Sequence, residues 1–195
     1  MFLRDLQFGD VINSYQRSIP FYDIPAHCIR WHQKRKWDAK NYRSTHSVLY
    51  LGNGHFFEVT APRARFGHIT EFTDQSIYTV CRYRDVHINT IPDAEKDIFW
   101  NVCKEYDGTK YDYCQLVDIG LKGILHWIPE YLPIIDLGRK RKVCSVVVAI
   151  AYVKWWEECQ RWGGRRPLGE QHVEVASPAD FENHPTFRIQ GKLVI

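Results

Sequence analysis

Apolar positions along this chain recur at two spacings, one of about two residues and one of between three and four. From His46 to Pro62, HSVLYLGNGHFFEVTAP holds two β-rich runs, HSVLYL and HFFEVT, parted by Gly52, Asn53 and Gly54. Asn-Gly between such runs is the strongest short-range hairpin signal a sequence carries. A further strand is expected over 76–83, where Ile77, Thr79 and Cys81 alternate with Tyr78, Val80 and Arg82. A short first strand is read within 6–15 around Val11 and Ile12, and a last one near 187–195. Helical spacing takes over after Pro92, where Ile98, Phe99, Val102 and Tyr106 predict a helix reaching Tyr106. Two more helices are predicted over 112–127 and 142–159, the second the more apolar, and another near 27–36. Ser177 before Pro178 has the character of a helix N-cap. Strands come first, helices later, and a strand returns at the end, which is an α+β order.

Without a repeat or a low-complexity linker, the 195 residues are expected to form one domain. Hydrophobic residues make up 45% of the chain and charged residues 25%, a balance that argues against disorder. Lys plus Arg (26) against Asp plus Glu (23) leaves a net charge of +3, too even to announce a nucleic-acid partner by composition. No run approaches the ~18 to 20 apolar residues of a spanning helix. The opening MFLRDLQFGD contains Asp5 and no apolar stretch, so no secretory signal is read there, and the expected location is the cytoplasm or a phage particle.

Six cysteines lie along the chain with no C-x-x-C pair, which favours reduced thiols over a disulfide framework and speaks against structural zinc. One of them has a distinct setting. Cys144 follows four consecutive cations, Arg139 to Lys142, and falls in the first turn of the predicted apolar helix. Helix N-terminal amides and nearby cations stabilise a thiolate, so Cys144 is a candidate nucleophile, or else a small buried hydrophobe at a helix start. A thiolate nucleophile needs an imidazole and a group that orients it. His46 opens the strongest strand, and Glu58 interrupts the apolar strand beside it.

Register decides whether those two can meet. A two-residue Asn53-Gly54 loop sets Leu49 opposite Glu58 and puts His46 and Glu58 on opposite faces. A three-residue loop over 52–54, or an equivalent bulge, sets Val48 opposite Glu58 and makes Glu58 a diagonal neighbour of His46 on one face. The second arrangement is the expected one, with Thr60 as the alternative orienting group.

The ordered set FGDVI, HSVLYLGNGHFFEVTAP, KYDYCQL, RKVCSVVVAIAY and SPADF resembles the circularly permuted papain-fold hydrolases, YiiX-like permuted relatives of the NlpC-type cell-wall peptidases known in bacteria and phages. The resemblance runs from about Gly9 to Phe181. It implies a permuted papain-like fold, an antiparallel sheet against helices, with the nucleophile at a helix N-terminus. It also implies a catalytic order His46, Glu58, Cys144, with Tyr111 and Asp112 either lining the cleft or filling core and capping roles. The family pattern Cys-Ser-Glu reads Cys144-Ser145-Val146 here, a changed pocket wall. Asp10 is expected to cap a turn.

The function so implied is a cysteine amidase or peptidase acting through a thioester on a peptide or acyl substrate, cell-wall peptide among the candidates, without metal or organic cofactor. The Cys144 backbone N–H would be one oxyanion donor, with Tyr111 the candidate for the second. Two other classes stand beside it. One is a catalytically silent papain-like module, such as a virion or tail component. The other is a nucleic-acid binder using residues 30–36, read alternatively as a solvated helical face with inward tryptophans, and 139–142. Trp100, Trp127, Trp155, Trp156 and Trp162 either line a pocket or fill the core.

Overall fold

The computed structural model describes residues 1–16, 24–37, 43–84, 91–112, 142–159, 165–169, 173 and 176–195. The helix expected over 112–127, Cys114, Trp127, Trp162 and the cations at 139–141 lie outside the described residues, apart from Asp112 itself. Six strands form one antiparallel sheet: β1 (Val11–Gln16), β2 (His46–Gly52), β3 (His55–Val59), β4 (Ala64–His68), β5 (Ser76–Tyr83) and β6 (Phe187–Lys192). Their order across the sheet is β4-β3-β2-β1-β5-β6. Among the described residues four α-helices accompany it: α1 (Ile24–Trp37), α2 (Lys96–Tyr106), α3 (Cys144–Glu158) and α4 (Pro178–Asn183). The architecture is α+β.

Alternation along the strands divides the apolar residues between two layers. Val11, Leu49, Leu51, Phe57, Val59 and Cys81 point towards α2 and α3, while Ile12, Val48, Tyr50, Phe56 and Val80 form a second cluster on the other face. α3 is apolar around its whole circumference from Val146 to Val153, which fits a helix enclosed on all sides. The β-branched run Val146–Val148 is a weak helix former, and burial between α2 and β2 overrides that preference. Tyr83, Phe99, Tyr152, Trp155 and Phe187 interlock with ring centroids 5.1–5.8 Å apart, mostly edge to face. Trp155 is therefore core, and Trp100 and Trp156 pack against the same cluster.

Several boundaries differ from the sequence expectation. β1 starts at Val11, because Asp10 accepts the Gln7 N–H (2.8 Å) and holds a turn before the strand. Asp10 also takes Arg82 at 2.7 Å, so its role is the structural one expected. β6 ends at Lys192, short of Ile195. β4 had no counterpart in the expectation, since ARFGH carries little alternation. α1 is longer than expected and turns Ala26, Ile29, His32 and Gln33 inward, a spacing of three, three and one. Trp31 is 43% exposed and does not pack inward.

The hairpin closes on Asn53 (φ 51°) and Gly54 (φ 81°), a two-residue loop with both central residues left-handed. Gly52 faces His55, yet Val48 faces Glu58, because the register shifts between Tyr50 and Gly52. One strand thus carries an extra residue, a bulge. The result is the register that sets His46 and Glu58 on one face.

Candidate functional site

His46 is the first residue of β2 and is partly buried there. Its Nε2 lies 2.8 Å from Glu58 Oε2 on β3. The imidazole also lies beside the thiol of Cys144, the first residue of α3, and each group shifts the other's ionisation. Cys144 is 2% exposed and is free of any disulfide. The backbone amides of Ser47 and Ser145 add to the influences that favour the ionised sulfur. With Nε2 committed to the carboxylate, Nδ1 is the ring nitrogen left for the sulfur.

Burial by itself would lower the His46 pKa, but the facing thiolate and the Glu58 carboxylate outweigh it and raise the imidazole to about 10. Burial likewise opposes ionisation of Cys144. The imidazolium, through charge and hydrogen bond, together with the two amide donors, holds the thiol below its ordinary value. The pair is thereby favoured as thiolate and imidazolium. Cys81 and Cys103, buried without an imidazole, are pushed up instead. Burial also opposes the ionised form of Glu58, and its bonds to His46 and Arg65 overcome that and keep it low.

Arg65 on β4 stands directly opposite Glu58 in the β3–β4 register. Its guanidinium holds Glu58 Oε1 at 2.8–2.9 Å and Glu71 Oε2 at 2.7 Å. Glu58 thus has one oxygen on the imidazole and the other on a cation. Sequence reading missed Arg65 because it missed β4.

Beside Cys144 lies a narrow recess of about 10 Å³, partly open to solvent, walled by Ile29, Val143 and Pro178 with His32 and Tyr111. Tyr111 is therefore brought to the same recess as the sulfur. Asp112, whose N–H bonds the Lys142 carbonyl at 3.4 Å, is not in that wall. His32, 6% exposed, was not singled out from sequence, and the signal was its position three residues after Ile29 on one helical face. Val146 packs with Ile29 and Val143 in a small apolar cluster next to the recess. Thr60 is not needed as an orienting group, since Glu58 already occupies Nε2.

Chemically, the arrangement offers an ionised sulfur at a helix N-terminus, an imidazolium to protonate a leaving atom, and a carboxylate that fixes the ring. No protein-family model matches the chain, and no curated protein matches it. Among solved structures, it is similar to metalloprotein YiiX from Escherichia coli O157:H7, with a TM-score of 0.57 over 95% of this chain and 97% of that one, at 15% sequence identity. The likeness is one of fold. Among the described residues no helix is long and apolar enough to cross a membrane.

Proposed function

We propose that this protein is a cysteine hydrolase of the circularly permuted papain-like type, cleaving an amide or ester bond through a thioester on Cys144. The single observation that supports it most is the alignment of Cys144, His46 and Glu58, with Glu58 bonded to the imidazole and the sulfur beside it at the start of α3. The YiiX-like fold and the chain order His, Glu, Cys are in keeping with it.

In this reading His46 holds the thiol proton and the Cys144 thiolate attacks the substrate carbonyl carbon. The oxyanion that forms takes the Cys144 backbone N–H, unpaired at the helix N-terminus. Removing one such donor typically costs about 2.7 to 4 kcal/mol of transition-state stabilisation. His46 then gives its proton to the leaving amine or alkoxide as the carbon–leaving-group bond breaks. A water molecule, giving its proton to the now neutral imidazole, adds to the thioester; the carboxylic acid leaves and the thiol is restored. Glu58 keeps the ring in the required tautomer and stabilises the imidazolium, as a triad acid does.

The apolar wall of the recess, with Val146 behind it where the family pattern has Glu, suits an uncharged group next to the scissile carbonyl. Peptides of the cell wall are the substrate class proposed, with short acyl esters as the second. Tyr111 is proposed as a substrate-facing residue, and Asp112, outside the wall, as its support in the chain. The solved neighbour is described as a metalloprotein. Among the described residues here, no three His, Cys, Asp or Glu side chains gather as a ligand set, so no step is assigned to a metal.

The test compares wild type with Cys144→Ala on muropeptides and on short acyl esters. Release of product by wild type, lost in Cys144→Ala, is the expected result. Hydrolysis that survives the substitution, or none on either substrate class, would overturn the proposal.

A further inference from the structure

Residues 176–178 wall the recess beside Cys144 on the side facing Ile29 and His32 of α1, and buried polar side chains hold the backbone there. The Ser145 hydroxyl, in the first turn of α3, donates to the Ala176 carbonyl at 2.7 Å. Asn13 Nδ2, from β1, donates to the Pro178 carbonyl at 2.7 Å. Gln33 Oε1, from α1, accepts the Ala179 N–H at 2.5 Å, and its Nε2 donates to the Ser44 carbonyl at 2.7 Å. The Ser47 hydroxyl donates to Asn13 Oδ1 at 2.7 Å, so the amide that holds Pro178 is itself fixed. Asn13, Gln33 and Ser145 are at most 2% exposed. Buried bonds from three separate elements leave this wall little freedom to retreat.

The space left inside is small. The recess offers about 10 Å³ for the centre of a water-sized group, which is room for one such group, a water or a methyl. Which part of a substrate can enter follows from the two residues that handle it. The acyl carbon bonds to Cys144, which lines the recess, whereas the leaving atom must reach His46 for its proton, and His46 does not line it. The recess therefore serves the acyl side. We propose that it is a selectivity pocket admitting hydrogen or methyl, and no larger side chain, on the carbon next to the scissile carbonyl. The preferred substrate is then an amide or ester of a glycyl or alanyl carboxyl group. The inference rests on the reading of Cys144 as the nucleophile.

Ile29 sets the limit on the α1 side. It is buried and packs with Val143 and Val146. Shortening it enlarges the recess and alters none of Cys144, His46 and Glu58. In an apolar pocket one methylene more or less changes kcat/KM by about 10- to 200-fold.

The experiment measures kcat/KM of the full chain on p-nitrophenyl esters of N-acetylated glycine, alanine, leucine and phenylalanine, the last three in D and L forms. The rate of Cys144→Ala is subtracted. Leaving group and acetamido group are the same throughout, so only the side chain beside the carbonyl varies. Wild type should favour glycine and alanine over leucine and phenylalanine by at least about tenfold. Ile29→Ala should narrow that ratio by about tenfold. The ratio is taken within one protein, so a general loss of activity does not enter it. Should Ile29→Ala not fold, Ile29→Val is read the same way. A wild type that takes phenylalanine as readily as glycine, or an unchanged ratio in the folded Ile29 variant, overturns the inference and leaves the hydrolase reading standing. So does cleavage of muropeptides with none of the esters cleaved. No hydrolysis of esters or muropeptides overturns both.

Discussion

Replacing His46 by alanine removes the strongest influence holding the Cys144 sulfur ionised. The thiol is 2% exposed, and burial of that degree drives a cysteine upward, as it does at Cys103 and Cys81. In Cys144 burial is again the largest single influence, and the imidazolium with the Ser47 and Ser145 amides reverses it. With the imidazole gone, only the weaker influence of the Ser47 and Ser145 amides is left to oppose burial of the sulfur. The expected outcome is a Cys144 pKa at or above the free-thiol value of about 8.5. At pH 7 such a thiol is ionised to only about 3%. The rate at one pH would understate the change, because a thiolate from a weaker acid attacks faster, by about threefold per pKa unit. The midpoint of the alkylation profile is thus the proper readout, taken from pH 5 to 10 with iodoacetamide and assigned to Cys144 by mass spectrometry. Wild type should reach its midpoint below the free-thiol value and His46→Ala at or above it. Identical midpoints in the two proteins would refute the ion-pair reasoning.

Three further outcomes follow from the same geometry. Glu58→Gln keeps a hydrogen bond to Nε2 but removes a charge, so the His46 pKa should fall from about 10 by roughly 0.7 unit, and the alkaline limb of activity should move down in pH with it; an unmoved limb would show that the carboxylate does not hold the proton. Arg65→Ala should change that limb less than Glu58→Gln does, since the guanidinium is 48% exposed and solvent already screens it; a larger effect would contradict this order. Gly54→Ala should destabilise the fold by at least about 1 kcal/mol, because φ is +81° and a Cβ would stand 2.1 Å from His68 Nε2; a chemical-denaturation midpoint equal to wild type would count against the hairpin as described.

Local signals along the chain carried the hairpin, the strand over 76–83 and the helix that starts with Cys144, because each rests on a repeat of two or about three and a half residues. They also carried the choice of His46 and Glu58, since strand parity alone limits which side chains can share a face. The bulge was foreseeable only as an option: Asn53-Gly54 asked for a tight two-residue loop, and only packing of both faces, Leu49 on one and Val48 on the other, shows why an extra residue is accommodated.

The tertiary structure decided the rest. His46 and Cys144 are almost a hundred residues apart, and no local spacing sets their separation; the seating of α3 on β2 does. Arg65 reaches Glu58 through the β3–β4 pairing, and His32 enters the recess because α1 packs inward. Periodicity fixes which way a side chain faces within its own element, whereas ionisation of a buried sulfur depends on what distant elements bring within hydrogen-bond reach.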